Sequence, residues 1–132
     1  MKNEVIIIGI AGPSGSGKSL LASTIVNELG SSKVVVISED SYYKDLGDMP
    51  IKVRSELNFD HPDSLDHELL KQHLALLQAG QGVAIPQYDH SSHSRLPETK
   101  LISNHTIIVL EGILLFVEPE LRDLMDIRIF ID

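Results

Sequence analysis

The sequence contains no cysteine, few basic residues and no long apolar run. Without cysteine there can be no disulfide bond, no zinc–thiolate site and no cysteine nucleophile. Lys and Arg contribute 11 of the 132 residues against 19 Asp and Glu, which gives a formal net charge of -8. Nucleic-acid binding needs a basic face that neutralises phosphates, so this balance predicts small-molecule chemistry and no nucleic-acid partner.

The apolar run near the N-terminus, residues 5–10, is too short to span a bilayer and lacks the cleavage region of a signal peptide. No internal repeat or low-complexity tract interrupts the chain. Hydrophobic residues make up 42% and charged residues 23%, which is ordinary for one globular domain. We therefore expect a single domain over residues 1–132, located in the cytoplasm, with no membrane partner.

Short apolar runs predict strands that are buried on both faces. They cover residues 5–10, 33–38, 106–110 and 127–131. Because helical segments separate them, the pattern predicts an α/β three-layer fold with a mostly parallel sheet. In this interpretation the first two strands form a parallel βαβ unit, and ligands bind at the carboxyl ends of the strands.

Apolar residues at three- and four-residue spacings predict the main helices. The first helix begins near Lys18 and stops at Gly30. The second is capped by Asp63 or Ser64 and runs to about Gln78.

A small hairpin and a short third helix complete the predicted elements. Residues 83–88 and 100–103 are short strand candidates around a polar loop, and they predict a β-hairpin beside the main sheet. Pro119 is predicted to begin a helix that ends near Leu124.

A glycine-rich segment separates the first strand from the first helix and matches G-x-x-x-x-G-K-[ST] in full. Glycines let the backbone wrap so that several N–H groups point at phosphates, and the helix start adds its positive dipole end. The lysine ammonium is a mobile charge for the outer phosphates. We predict a P-loop that binds the phosphates of ATP or GTP, made of Gly12, Pro13, Ser14, Gly15, Ser16, Gly17, Lys18 and Ser19.

Carboxylates follow two of the predicted strands. Asp40 follows the second strand, where it could accept the proton of a hydroxyl that attacks the γ-phosphate, or could simply cap a turn. Glu39 competes for the same role. Glu111 follows the third strand and is predicted to hold Mg²⁺, directly or through water, together with the Ser19 hydroxyl.

The segments GIAGPSGSGKS, SEDSYYKD, FDHPDSLD, QYDHSSHSR and VLEGILL, in this order, resemble the uridine–cytidine kinases, most closely the bacterial branch. The resemblance runs from about Ile7 to Asp132, and FDHPD and SHSR are its most specific parts. It implies a P-loop kinase domain that transfers the γ-phosphate of ATP or GTP to the 5′-hydroxyl of uridine or cytidine.

The resemblance also implies roles for individual acidic residues. Asp40 corresponds to the general base at the 5′-hydroxyl, and Asp60 to the acid that holds the ribose hydroxyls. Ser19, Asp40 and Glu111 correspond to the Mg²⁺ environment.

Other residues correspond to the nucleoside pocket of the resembled family. Tyr43 corresponds to an aromatic residue near the substrate, while Tyr88 and His93 correspond to residues that read the edge of the pyrimidine. His90 stands where relatives carry a residue that packs near the base. The hairpin would therefore be a substrate-binding excursion of the sheet.

Relatives of this kind continue well past the strand that closes at Asp132, and they assemble as tetramers. The resemblance thus implies a C-terminally incomplete kinase domain without its lid, which should bind nucleotide weakly and catalyse poorly. Two alternatives stay open: a related small-molecule kinase such as a phosphoribulokinase-like enzyme, and a nucleotide-binding fragment without turnover.

Overall fold

The computed structural model describes residues 5–13, 15–43, 65–89 and 94–132. These residues form a parallel sheet, a hairpin and short helices. In chain order the elements are β1 (Ile6–Ala11), α1 (Lys18–Leu29), β2 (Val34–Ser38), a 3₁₀ helix (Glu39–Tyr42), α2 (His67–Gln78), β3 (Val83–Asp89), β4 (Ser94–Ile102), β5 (Ile107–Gly112), α3 (Pro119–Arg122) and β6 (Ile127–Phe130).

The main sheet has the strand order β2-β5-β1-β6, and all its pairings are parallel. The predicted α/β fold with a mainly parallel sheet and a separate hairpin is confirmed. One detail of the predicted βαβ unit is wrong, because β1 and β2 are parallel but not neighbours. β5 lies between them and pairs with both.

Alternate residues of the central strands point to opposite faces of the sheet, and both faces are covered. One face packs with α1 around a core that includes Ile10, Ala22, Val34 and Val109. The other packs with α2, the hairpin and the segment around α3. That second core includes Ile7, Ile37, Leu70, Leu74, Leu77, Val83, Ile85, Ile102, Ile108, Leu110, Leu121 and Met125. The result is the three-layer arrangement that the sequence predicts.

The start of α2 differs from the prediction. Asp66, not Asp63 or Ser64, is the N-cap residue, and its side chain accepts a hydrogen bond from the Leu69 amide at 3.1 Å. The chain just before this point is extended, because Leu65 forms an antiparallel bridge with Tyr43. This pairing prevents the helix from starting earlier.

The second strand of the hairpin is longer than predicted. β4 begins at Ser94 rather than Lys100 and pairs antiparallel with β3, with a register shift between Pro86 and Tyr88. Residues 96–101 are exposed, so this strand lacks the buried apolar alternation that marks a strand in a sequence. The pairing with β3, rather than the burial of its own side chains, determines where β4 begins.

Across the described residues, no helix combines the length and the apolar character needed to cross a membrane.

We expect Leu74→Ala to lower the free energy of unfolding by about 2–5 kcal/mol, because Leu74 is fully buried between α2 and the sheet. Leu76 lies on the same helix with 39% of its surface exposed, and Leu76→Ala should cost less than about 1 kcal/mol. Urea unfolding followed by circular dichroism measures both. Equal losses would contradict the assignment of the buried face of α2.

Candidate active site at the carboxyl edge of the sheet

Parallel pairing brings three chain segments to one edge of the sheet. Glu111 lies opposite Ile10 on β1 and opposite Ser38 on β2. The glycine-rich loop follows β1, the 3₁₀ helix follows β2, and Glu111 itself is near the end of β5. The loop, Asp40 and Glu111 are therefore neighbours in space although they are far apart in sequence.

The glycine-rich loop has the backbone that a wrapped phosphate-binding loop requires. Gly15 and Gly17 have φ values of 79° and 98°, which residues with a side chain adopt rarely. Gly17 is the N-cap of α1 and has no side chain with which to satisfy the first amides of the helix. The start of α1 thus presents amide donors and the positive end of the helix dipole.

Lys18 is folded back onto this loop. Its ammonium donates a hydrogen bond to the Pro13 carbonyl at 3.0 Å, and only 7% of the residue is exposed. The Ser16 hydroxyl is buried and has no hydrogen-bond partner within the part of the chain that the structure describes. The loop therefore holds one cationic donor and one buried hydroxyl whose hydrogen-bonding capacity is unused there.

The loop and the carboxylates share a single cavity of about 270 Å³. Its lining joins predicted site residues from the ends of all three strands. The lining residues are Gly15, Lys18, Ser19, Asp40, Tyr43, Glu111, Gly112 and Ile113.

Adjacent carboxylates in the 3₁₀ helix have different environments. Asp40 is exposed and lines the cavity. Glu39 is fully buried, accepts a hydrogen bond from the Leu114 amide at 2.9 Å and contacts His67 Nε2 at 2.7 Å. Of the two candidates for a proton acceptor, only Asp40 faces the space where a substrate could bind.

The hairpin packs beside the cavity through Tyr43. The rings of Tyr43 and Tyr88 lie 5.2 Å apart at 46°, and Arg95 of β4 donates to the Tyr43 carbonyl at 3.2 Å. Arg95 also forms an ion pair with Asp66 at 3.1 Å, which links β4 to the start of α2. These contacts place Tyr88, a predicted substrate residue, next to a residue of the cavity wall.

Some predicted site residues lie outside the described residues and stay predictions. They are Ser14 of the loop, Asp60 of the FDHPD segment, and His90 and His93 between the hairpin strands.

Sequence reasoning missed His67, at the start of α2. Burial by itself lowers the pKa of His67, but the hydrogen bond and charge of Glu39, followed by those of Glu118, outweigh this effect and raise it. His67 Nδ1 lies 3.3 Å from Glu118. A histidine near a helix start carries no sequence signal for such a buried contact.

A second buried pair joins the same two elements. The Tyr42 hydroxyl lies 2.7 Å from His73 Nδ1. Burial lowers the pKa of His73 and raises that of Tyr42. The 3₁₀ helix is therefore held to α2 at two points.

Glu68, Glu118 and Glu120 are close enough together to suggest a cation site. The Lys71 ammonium contacts all three carboxylates at 2.6–2.8 Å. The lysine already supplies the positive charge that this acidic cluster needs. We therefore interpret the cluster as an ion-pair network that joins α2 to the start of α3.

The strand order, the glycine-rich loop between β1 and α1, and the carboxylates at the same sheet edge define a P-loop phosphate-binding α/β protein. Comparison with known proteins makes the assignment more specific. Residues 7–132 match the Phosphoribulokinase / Uridine kinase family, and the chain belongs to this family.

Individual relatives agree with this assignment. The chain is 48% identical to the uridine kinase of Vibrio cholerae over 134 residues and 50% identical to that of Shewanella denitrificans over 133 residues. Each alignment covers 98% of this chain but 63% of the relative, so the chain spans less than two thirds of these curated relatives.

A solved structure titled "Structure of a Possible Uridine Kinase from Bacillus stearothermophilus" has a similar fold. It superposes with a TM-score of 0.77 at 22% sequence identity and covers 100% of this chain and 73% of that chain. At this identity the likeness concerns the fold alone.

We expect His67 to titrate above the usual histidine value of 6.5 and His73 to titrate below it. NMR of the imidazole protons across the pH range measures both midpoints in one sample. Because the folded pKa of His67 is raised, its protonation stabilises the fold fully below the unfolded pKa, and this contribution is lost as the pH rises through the folded pKa. A His67 midpoint at or below that of His73 would contradict the Glu39 contact.

Proposed function

We propose that this chain is the nucleotide-binding part of a pyrimidine nucleoside kinase. The reaction is transfer of the γ-phosphate of ATP or GTP to the 5′-hydroxyl of uridine or cytidine, giving the nucleoside monophosphate. The observation that carries the proposal is the single cavity in which Lys18 and Ser19 of the phosphate loop face Asp40 and Glu111. The uridine kinases that are about half identical to the chain favour a nucleoside as the acceptor.

The glycine-rich loop is proposed to hold the donor phosphates. Backbone amides at the start of α1 and the Lys18 ammonium would neutralise the negative charge of the triphosphate. To do this, Lys18 would exchange its bond to the Pro13 carbonyl for phosphate oxygens. The buried Ser16 hydroxyl could donate to a phosphate oxygen in the same loop.

The residues present fit a magnesium ion. Mg²⁺ binds oxygen ligands, keeps several waters, and needs only one or two protein carboxylates beside the substrate phosphates. Ser19, Asp40 and Glu111 supply a hydroxyl and two carboxylates on the same cavity wall. When bound, the ion would neutralise charge on the phosphates.

Asp40 is proposed to be the general base. As the 5′-oxygen forms its bond to the γ-phosphorus, the bond from that phosphorus to the oxygen bridging it to the β-phosphate breaks, and the 5′-hydroxyl proton passes to the Asp40 carboxylate. An exposed carboxylate on the cavity wall can reach such a hydroxyl, whereas Glu39 is buried and bonded elsewhere.

The nucleoside is proposed to bind between the cavity and the hairpin. Tyr43 and Tyr88 form an aromatic pair there. Asp60 would hold both ribose hydroxyls, His93 and Tyr88 would read the edge of the pyrimidine, and His90 would pack near the base. A carboxylate that accepts from two vicinal hydroxyls selects ribose over sugars that lack one of them.

The family resemblance also supports proposals about the setting of the protein. We propose that the functional unit is a homo-oligomer, a tetramer by resemblance, that acts in the cytoplasm on small molecules rather than on nucleic acid. The formal net charge of -8 favours the absence of a nucleic-acid partner.

Asp40→Asn should abolish phosphate transfer to uridine while leaving nucleotide affinity within about twofold, because the amide cannot accept the proton. Coupled detection of ADP and calorimetric titration with a non-hydrolysable ATP analogue give the two quantities. Asp123→Asn, an exposed change after α3, is the matched control and should retain activity. Transfer that survives in Asp40→Asn would exclude Asp40 as the base.

The same assay separates the alternatives when ribulose 5-phosphate and pantothenate replace uridine. Transfer to one of those acceptors but not to uridine would favour a different small-molecule kinase of the family. Nucleotide binding with no transfer to any acceptor would favour a binding fragment without turnover.

Lys18→Ala should weaken nucleotide binding by about 10- to 100-fold, which is the loss expected for one charge-assisted hydrogen bond. Lys33→Ala removes an exposed lysine just before β2 and serves as the control, with affinity unchanged. Calorimetric titration with the ATP analogue and Mg²⁺ measures both. Unchanged affinity in Lys18→Ala would contradict phosphate binding by the loop.

A further inference from the structure

We infer that Glu39 is a positioning residue for the proposed reaction. Its buried carboxylate fixes the backbone that follows β5 against the 3₁₀ helix that carries Asp40. The inference rests on the proposed function, since it concerns how the proposed base, Asp40, is held relative to the end of the strand that carries Glu111.

Each oxygen of the Glu39 carboxylate has its own partner. Oε1 accepts a hydrogen bond from the Leu114 amide at 2.9 Å, and Oε2 lies 2.7 Å from His67 Nε2. The residue is 0% exposed, so water does not compete for these contacts. Hydrogen bonds to a charged group in such an environment are short and directional.

Glu39 connects two chain segments that line the cavity, the 3₁₀ helix and the segment at the end of β5. Glu39 precedes Asp40 in the chain, and Leu114 follows Glu111 by three residues. A β-carbon added at Gly112 would overlap the Glu39 side chain, both its Cβ and its Oε1. Gly112 therefore lets the carboxylate pack directly against the backbone of a residue that lines the cavity.

His67 is itself held on its far side. Its Nδ1 lies 3.3 Å from Glu118, and Glu118 binds the Lys71 ammonium at 2.6 Å. The imidazole is thus oriented from two directions, by Glu39 on the 3₁₀ helix and by Glu118 just before α3. The contact network runs from the backbone of Leu114 through Glu39 and His67 to Glu118 and Lys71.

Stability alone is a weak reason for this arrangement. A buried ion pair costs desolvation, and well-packed apolar side chains of similar volume are often as stabilising. What an apolar pair lacks is a directional bond that fixes one backbone segment relative to another. A shift of about 1 Å in a reacting group can slow catalysis by about 100-fold, so such a bond matters at this location.

Among the described residues, the phosphate loop takes no part in these contacts. In the part of the chain that the structure describes, the hydrogen bonds of Glu39 lead to the loop after β5 and to α2, while Lys18 bonds to Pro13. Loss of the Glu39 contacts should therefore impair phosphate transfer and leave binding of the donor nucleotide intact.

The experiment compares two substitutions of similar size. Glu39→Gln keeps a side-chain oxygen for the Leu114 amide, and its NH₂ group can donate to a neutral His67. Glu39→Met keeps the length and removes both contacts. We expect kcat to fall by about 10- to 100-fold in Glu39→Met and by less than about threefold in Glu39→Gln. KM for ATP should stay within about twofold in both.

Tyr42→Phe is the matched control. It removes a different buried side-chain hydrogen bond between the 3₁₀ helix and α2, the one to His73, and leaves Leu114 bonded. It should destabilise the fold yet retain kcat within about threefold, whereas general loosening would lower kcat in both variants. Urea unfolding measures the free energy of unfolding of every variant, so that losses of kcat can be compared at known stability.

Three kinetic outcomes overturn the inference. These are an unchanged kcat in Glu39→Met, a loss in Glu39→Gln as large as in Glu39→Met, and an equal loss in Tyr42→Phe. If Glu39→Met fails to fold, His67→Asn is the second variant. It releases Oε2 of Glu39 alone, and we expect kcat to fall by about tenfold with KM for ATP unchanged. An unchanged kcat there also overturns the inference.

Hydrogen exchange provides a readout that does not need turnover. The Leu114 amide should exchange faster in Glu39→Met than in the unaltered chain, and at the unaltered rate in Glu39→Gln and Tyr42→Phe. Absence of turnover in the unaltered chain would contradict the proposed function, and the exchange rates would then decide on the Glu39 contact alone. Equal exchange rates of the Leu114 amide in all variants would overturn the inference about Glu39.

Discussion

Parallel pairing of β5 with both β1 and β2 is the constraint on which the site depends. It fixes Glu111 opposite Ile10 and Ser38, and thereby sets the glycine-rich loop and Asp40 on either side of one carboxylate. A register shift of one residue would move every side chain of the shifted strand to the opposite face of the sheet. The apolar alternation that fills the two cores therefore also determines which groups meet at the sheet edge.

Two different kinds of interaction shape the two sides of the cavity. The phosphate side is built from backbone amides, glycine conformations and one lysine folded back onto a carbonyl. The other side depends on buried side-chain contacts, in which Glu39 joins the 3₁₀ helix that carries Asp40 to His67 on α2 and to the Leu114 amide. A mobile ammonium suits a ligand that binds and leaves, whereas a hydroxyl and its base need a fixed geometry.

The sequence was sufficient for the features that are local in the chain. The glycine-rich motif, the apolar strands and the placement of Asp40 after β2 and of Glu111 near the end of β5 all follow from short patterns. The sequence was insufficient where tertiary contacts determine the bounds of an element or the environment of a side chain. Leu65 pairs with Tyr43, so α2 starts later than predicted, and the exposed strand β4 lacks apolar alternation. Position after β2 alone left Glu39 as a competitor of Asp40 for the role of proton acceptor, and the burial of Glu39 separates the two.

Because β5 is the shared neighbour of β1 and β2, the main sheet cannot form until residues 107–112 have been synthesised. β1 and β2 each find their shared neighbour only in residues 107–112, so a nascent chain that has not yet reached them carries two apolar strands without that partner. Such unpaired edges attract chaperones and promote aggregation. We therefore expect release of β5 from the ribosome to bring β1 and β2 into one sheet, to which β6 then adds beside β1.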